Sequence, residues 1–177
     1  MDDVTLRPIL ETDLDELARF AMDPAAGGEF EWAGFRDPKA ARRRWEEDGW
    51  LNEEHSWLAV APGDGSFAGI VSWRQRESGA AKGGRFEVGI ELLPEHRGRG
   101  IGTTAQRLLA AYLFETTAVH RLEALTDIDN LAEQRALDKV GFTREGMLRE
   151  GWYRAGRWRN GLIYSLLRGE LDAGDTG

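Results

Sequence analysis

The sequence lacks cysteine altogether and has only three histidines among its 177 residues. The absence of cysteine excludes a disulfide framework, a thiolate metal site and a cysteine nucleophile, and it fits a reducing compartment. His55, His96 and His120 are scattered and do not have the spacing of a metal site. We therefore expect neither a bound metal nor a disulfide-stabilised fold.

Basic residues are fewer than acidic ones, and the amino terminus lacks a long apolar run. The chain has 31 acidic and 23 basic residues and a formal net charge of -8. This balance repels nucleic-acid phosphates, so we expect neutral or cationic partners and no nucleic acid. The opening stretch MDDVTLRPIL has no long apolar run. It therefore predicts neither a signal peptide nor a membrane span, and it favours the cytoplasm.

Apolar residues recur along the sequence at the spacing of helices in some segments and of strands in others. With 41% hydrophobic residues, the chain can form one core of ordinary domain size. Helix starts are predicted at Thr12 and at Asp37 before Pro38. Period-two alternation predicts a strand from Arg85 to Leu92. The full pattern reads β-α-α-β-β-β-α-β-α-β-β and predicts a mixed α/β sheet.

A loop rich in glycine and arginine follows that strand. Gly98, Gly100 and Gly102 have no Cβ, so the backbone can take positive φ and direct its amide protons into one concavity. The next residues are typical of a helix, and the amino terminus of a helix favours anions. Arg97 and Arg99 add charged donors. We therefore predict a site for a phosphate or pyrophosphate.

The two main glycine-rich phosphate loops do not match this segment. A Walker A loop ends in Gly-Lys-Ser/Thr, whereas this loop ends in Gly102-Thr103-Thr104. The dinucleotide fingerprint needs G-x-G-x-x-G near the first strand, whereas these glycines alternate after a strand in the middle of the chain. Another ligand that carries a pyrophosphate fits better.

Two motifs carry a resemblance to a known family. The segment Arg97-Gly98-Arg99-Gly100-Ile101-Gly102 resembles the Gln/Arg-x-x-Gly-x-Gly/Ala signature of the GNAT superfamily of acyl-coenzyme A-dependent N-acyltransferases. Residues 130–142, NLAEQRALDKVGF, are similar to the family's Asn-x-x-Ser…Glu-Lys-x-Gly-Phe segment. Residues 145–167 resemble the Rim-like branch, which includes ribosomal-protein and polyamine acetyltransferases.

The resemblance implies the fold and the cosubstrate. It implies a single-domain α/β GNAT fold over residues 1–171, with a mixed, mostly antiparallel twisted sheet flanked by helices and a polar tail at residues 172–177. Acetyl-coenzyme A is then the donor, and no metal is involved. Its pantetheine arm, pyrophosphate and thioester region are expected to contact Glu91, Leu92, Arg97, Gly98, Arg99, Gly100, Ile101, Gly102, Thr103 and Asn130. Asn130 is equally suited to capping the helix that follows it.

The implied chemistry is direct attack by a neutral amine on a thioester, which requires a proton acceptor. Glu87 is the first candidate, because it shares a strand face with Gly89 and Glu91, and Glu150 is the second. The general acid stays unassigned. Leu137 occupies the position of the tyrosine in polyamine relatives, and Glu133 occupies that of the serine in ribosomal-protein relatives.

The acceptor is expected near a segment that mixes carboxylates with aromatic rings. Glu29, Glu31 and Trp32 suit a cationic amine, although such residues also occur as a core cap with solvated carboxylates. We predict acetyl transfer to a primary amine of a small molecule or of a protein N-terminus, by a monomer or a homodimer. A succinyl or other acyl donor, and a non-catalytic coenzyme A-binding regulatory module, remain as alternatives.

Overall fold

The computed structural model describes residues 3–78 and 81–171, so the predicted tail at residues 172–177 lies outside the described residues. The strands are β1 (Val4–Arg7), β2 (His55–Pro62), β3 (Gly69–Ser78), β4 (Ala81–Leu92), β5 (Arg121–Asp127), β6 (Thr143–Arg154) and β7 (Arg157–Leu167). The helices are α1 (Leu14–Met22), α2 (Pro24–Glu31), α3 (Ala40–Asp48), α4 (Ile101–Thr116) and α5 (Leu131–Val140). Short 3-10 turns at Glu11–Asp13 and Pro94–His96 precede α1 and the glycine loop.

The strands form one seven-stranded sheet in the order β1-β2-β3-β4-β5-β7-β6. The β4–β5 pair is parallel, and the other neighbouring pairs are antiparallel. The parallel pair is joined by a crossover through α4, as such a connection requires. This arrangement confirms the predicted α/β fold with a mixed, mostly antiparallel sheet.

Helices cover both faces of the sheet because the strands alternate apolar side chains between them. On one face, α4 and α5 bury Leu109, Leu113 and Leu137 against residues such as Val71 and Leu122. The other face packs a second cluster from α1, α2 and the loop before α4. No helix in the described part of the chain is long and apolar enough to cross a membrane.

The prediction of two helices before the second strand is wrong, because the structure has three there, and α2 is the additional one. Asp23 caps it, because its Oδ1 atom accepts a hydrogen bond from the Ala25 amide at 2.9 Å, and Pro24 occupies its first turn. Gly28 interrupts the helix with φ +70°. The helix was not predicted because Gly27 and Gly28 disfavour helical structure. Its Asp23-Pro24 start is nevertheless the same signal that predicted α3 at Asp37-Pro38.

Three local predictions are confirmed. The Asn130 side chain caps α5 by accepting the Glu133 amide at 3.2 Å. Gly141 ends that helix with φ +107°, a conformation that favours glycine. Ala155 and Gly156 both have positive φ in the turn between β6 and β7, as a two-residue hairpin turn requires.

Candidate functional site

The sheet opens between its two parallel strands. Strands β4 and β5 pair only as far as Val88 and Ala124. Beyond that point β4 stays paired with β3 as far as Leu92, and β5 stays paired with β7 as far as Asp127. Each strand is thus held by its outer neighbour while the two inner edges separate. The facing edges, residues 89–92 and 125–127, leave peptide groups that an extended ligand can satisfy.

A cleft of about 1110 Å³ surrounds this opening. It is bounded by α2, β4, the glycine loop, β5 and α5. The volume is large enough for a sizeable ligand and a second, smaller one. Most of the residues selected from the sequence line it: Glu29, Glu31, Glu87, Glu91, Leu92, Arg97, Gly98, Gly100, Gly102, Thr103 and Asn130.

Four selected residues do not line the cleft. The side chain of Ile101 is buried in the α4 core, so only its backbone amide is available to a ligand. Arg99 is exposed on the loop, outside the cleft wall. Trp32 packs edge-on against Phe35, with ring centroids 5.3 Å apart. Glu150 is exposed on β6, where its amide donates to the side chain of residue 160. The structure therefore does not bring Glu150 to the other selected carboxylates.

The glycine loop forms one end of the cleft. Gly98 and Gly100 have φ of +72° and +81°, which side chains rarely tolerate. Gly100 directly precedes α4, whose first-turn amides have no acceptor inside the helix. A Cβ on Gly102 would lie 3.4 Å from the Cδ1 atom of Leu92, so this glycine lets the helix start approach β4. The free amides and the helix amino terminus therefore make this end of the cleft favourable to an anion.

Arg97 links the glycine loop to β4 and α2 by hydrogen bonds. Its Nε atom donates to the Leu92 carbonyl at 2.8 Å, and its Nη2 atom donates to the Ala26 carbonyl in α2. A Cβ on Gly28 would come within 2.9 Å of Nη1, so α2 needs glycine where the guanidinium passes. These contacts assign Arg97 a positioning role in this structure, beside the phosphate contact predicted from the sequence.

Two basic residues of α5 also line the cleft and were missed in the sequence. Arg135 and Lys139 are four residues apart, so they lie on one face of the helix. Ala132 and Ala136 also line the cleft and keep that face open. The four-residue spacing was a usable signal, but only the tertiary structure turns this face towards the cleft.

Three carboxylates form an acidic part of the cleft wall, called the acidic end below. The charges of Glu91 of β4 and Glu133 of α5 both act on Glu31 of α2, and none of the three forms a salt bridge within the described residues. Glu31 keeps contact with solvent, yet the concave wall around it and the charges of Glu91 and Glu133 raise its pKa to about 7. Burial also raises the pKa of Glu91, although the charges of Arg36 and Arg97 oppose that increase.

Glu133 is the most isolated of the three carboxylates. Burial raises its pKa to about 7, opposed only by a hydrogen bond with Gln106. That bond is long, with 3.4 Å between Gln106 Nε2 and Glu133 Oε2. A carboxyl group in such a place gains and loses its proton near neutral pH.

Glu87 is in a different state. Its carboxylate accepts hydrogen bonds from Arg74 and Arg76, and the Nε atom of Arg76 lies 2.7 Å from its Oε2 atom. Its side chain is 15% exposed. Glu87 therefore lines the cleft as half of an ionic cluster, with both oxygens already occupied.

An arginine from the last hairpin holds α2 in place. Arg154 donates to the Phe30 carbonyl at 2.7 Å and forms an ion pair with Asp127 at the end of β5. The side chains of Arg154 and Asp127 are 9% and 1% exposed. Phe30 precedes Glu31, so this buried contact determines where the Glu31 carboxylate stands in the cleft.

The cleft is thus electrically divided. One end offers amides, a helix terminus and basic side chains to an anion, and the other offers unpaired carboxylates to a cation. Between them lie unpaired strand edges and two carboxyl groups with pKa values of about 7. This arrangement can hold two ligands of opposite charge and move a proton between them near neutral pH.

The raised pKa of Glu133 predicts a pH-dependent cost to stability. Its pKa is about 7 in the folded chain against 4.5 for the ordinary group, so the folded state binds more protons between these values. We expect Glu133→Gln to gain stability relative to the wild type, by about 1–3 kcal/mol, as the pH rises from about 5 to about 8. Urea unfolding at several pH values measures this difference. Asp138→Asn, on an exposed position of the same helix, is the control and should show no such trend.

Comparison with known proteins places this geometry in context. Residues 3–143 match the family described as the acetyltransferase (GNAT) domain. The probable N-acetyltransferase YjcK of Bacillus subtilis is 35% identical over 96 residues, which are 54% of this chain and 52% of YjcK. The match thus spans about half the length of that relative. The uncharacterised N-acetyltransferase p20 of Bacillus licheniformis is 26% identical over 174 residues, 94% of each chain.

Solved structures share the fold. Spermidine N-acetyltransferase from Vibrio cholerae, in complex with coenzyme A and spermine, superposes with a TM-score of 0.82 at 18% identity and covers 95% of this chain and 97% of its own. RimJ from Mycobacterium smegmatis, in complex with CoA-disulfide, has a TM-score of 0.76 at 24% identity over 95% of this chain and 83% of its own. At these identities the likeness concerns the fold alone.

Proposed function

The chain belongs to the acetyltransferase (GNAT) domain family, and we propose that it is a Rim-like N-acetyltransferase that moves an acetyl group from acetyl-coenzyme A to a primary amine of a small cationic molecule. The observation that carries this proposal is the divided cleft. Its basic end and its acidic end meet at the opening between β4 and β5.

The basic end suits the donor. The amides around Gly98 and Gly100, together with Arg135 and Lys139, are donors of the kind that bind phosphate groups. The unpaired strand edges suit the amide-bearing pantetheine arm, with the backbone of Glu91 and Leu92 on the β4 side. When bound, acetyl-coenzyme A supplies a thioester carbonyl that an amine can attack.

The acidic end suits the acceptor. Most primary amines carry a positive charge at neutral pH, and Glu29, Glu31 and Glu91 line the cleft without a salt bridge among the described residues. Several carboxylates in one place favour an amine that bears a second positive group over a peptide N-terminus with a single charge. The structural neighbour from Vibrio cholerae is named for spermidine, which is such a polycation.

Glu31 is the proton acceptor that we favour. Its pKa of about 7 suits proton transfer near neutral pH, and it faces the cleft without an ionic partner. Glu87, the first candidate from the sequence, has its oxygens held by Arg74 and Arg76. Glu87 is therefore the alternative proton acceptor, and the pH profiles of the Glu31 and Glu87 variants distinguish the two.

The contacts of Arg154 favour an acetyl donor over a succinyl donor. A succinyl group would need a cation for its terminal carboxylate. On the last hairpin, Arg154 is already paired with Asp127 and bound to the Phe30 carbonyl. Arg149 is exposed on β6 of the same hairpin and does not line the cleft.

The proposed function is tested by thiol release from acetyl-coenzyme A with a panel of amines. We expect saturable release with a diamine, a polyamine or an aminoglycoside, and little with short peptides that have one free amino terminus, because the acidic end favours multiple charges. Succinyl-coenzyme A is the control donor. Calorimetric binding of coenzyme A without release for any amine would point instead to the non-catalytic regulatory module.

The glycine loop gives a prediction for donor binding. Gly100→Asp adds a side chain at φ +81° and a negative charge where the phosphates are proposed to bind. We expect coenzyme A affinity to fall by about tenfold or more, measured by calorimetry. Gly156→Asp is the matched control, because Gly156 has φ +78° in the distant β6–β7 turn. Unchanged affinity in Gly100→Asp would rule out the phosphate assignment.

The proton acceptor gives a prediction for the pH profile. The wild-type rate should rise as the pH increases towards about 7, because Glu31 must be ionised to take the amine proton. We expect Glu31→Gln to lower kcat by about 100-fold or more and to abolish this rise. Glu29→Gln, at the same cleft wall, serves as the control for lost charge. If Glu87→Gln removes the rise and Glu31→Gln keeps it, Glu87 is the acceptor.

A further inference from the structure

The setting of Glu133 differs from that of the carboxylates that the fold buries most deeply. Asp13 pairs with Arg7 at 2.6 Å, and Glu123 pairs with Arg121 at 2.8 Å. Glu133 has no salt bridge within the described residues, and its side-chain hydrogen bond is the 3.4 Å contact from Gln106. The fold therefore buries this carboxyl group without providing a cation to keep it ionised.

Glu133 also stands on the opposite side of the sheet opening from Glu31. Gln106 belongs to α4, on one face of the sheet, whereas Glu31 belongs to α2, on the other face. The charge of Glu133 nevertheless contributes to the raised pKa of Glu31, so both carboxyl groups face the same opening. A reacting group held between β4 and β5 would have one carboxyl group on each side.

We propose, building on the acetyl transfer proposed above, that the Glu133 carboxylic acid is the general acid of this reaction. The acceptor nitrogen bonds to the thioester carbonyl carbon, and the carbon–sulfur bond breaks with its electron pair going to sulfur. Glu133 donates its proton to that sulfur, and Glu31 accepts the proton that the nitrogen loses. Every bond and proton is then accounted for by the two carboxyl groups and the two substrates.

A general acid must carry a proton at the working pH, and the surroundings of Glu133 favour its protonated form. The charge of Glu133 acts on Glu31 across the cleft, Arg135 and Lys139 lie on its own helix, Glu91 and Arg97 line the same cleft, and no ion pair within the described residues joins Glu133 to any of them. Burial holds its pKa at about 7, so a large fraction carries a proton at neutral pH. Leu137 offers no alternative, because its side chain is fully buried in the core.

The two carboxyl groups exchange protonation states in one turnover. Afterwards Glu31 carries a proton and Glu133 has lost one, so the site must reset. Both residues line the open cleft, and water can return the proton once the products leave. Because the two charges repel, a state with one proton on the pair is favoured, as in other carboxylate pairs.

The kinetic test compares Glu133→Gln with Asp138→Asn, an exposed change of the same charge on the same helix. With Glu31 as the base, the wild-type rate should rise to a maximum near pH 7 and then fall, because the Glu133 acid is ionised at higher pH. We expect Glu133→Gln to lower kcat by about 100-fold and to lose this fall, while Asp138→Asn keeps both. A wild-type pH profile in Glu133→Gln would overturn the proposal.

A second readout does not depend on turnover. Carbon-13 NMR of glutamate-labelled protein follows the Glu133 carboxyl group, assigned by its absence in Glu133→Gln. We expect coenzyme A to change its titration and desulfo-coenzyme A, which lacks the thiol, to leave it unchanged. Equal effects of the two ligands would show that Glu133 does not meet the sulfur and would overturn the proposal. If no amine is acetylated yet the thiol-specific effect is present, the proposed function fails while the Glu133–thiol contact stands.

Discussion

The separation of β4 from β5 is the constraint on which the site depends. Each strand keeps its outer neighbour to its end, so their inner edges can part without breaking the sheet. The gap exposes backbone groups that need partners. It also connects the α4–α5 face with the α1–α2 face, and through this opening the carboxyl groups of Glu31 and Glu133 influence each other.

The opening also divides charge within a strongly acidic chain. The glycine loop and the start of α4 make one end of the cleft favourable to anions, and α5 adds two basic residues to the cleft wall, although the net charge is -8. Two arginines support the acidic part of the cleft indirectly. Arg154 and Arg97 bind carbonyls of α2 and hold the helix that carries Glu31 against the cleft. Basic residues thus have two roles: some offer donors to an anion, and Arg154 and Arg97 hold the helix that carries Glu31 in position.

Much of the fold and of the anion site could be predicted because the signals are local. Strand β4 alternates, Gly98 and Gly100 form a loop before a helix, and Asn130 caps α5, all within short windows. Helix α2 was missed because its two glycines outweighed its Asp-Pro start. Arg135 and Lys139 were missed because four-residue spacing says that two residues share a face but not what that face meets.

The sequence by itself determined the family, the order of the elements and the loop that suits phosphate, because these depend on residues close together in the chain. Only the tertiary structure decided the state of each carboxylate. Glu87 looked like a free base on its strand, but β3 brings two arginines to it. Glu31 was expected only near the acceptor and Glu133 had no assigned role, but the fold places both unpaired in the cleft. The proton affinity of a carboxyl group depends on its burial and on nearby charges, and distant parts of the chain supply both only after folding.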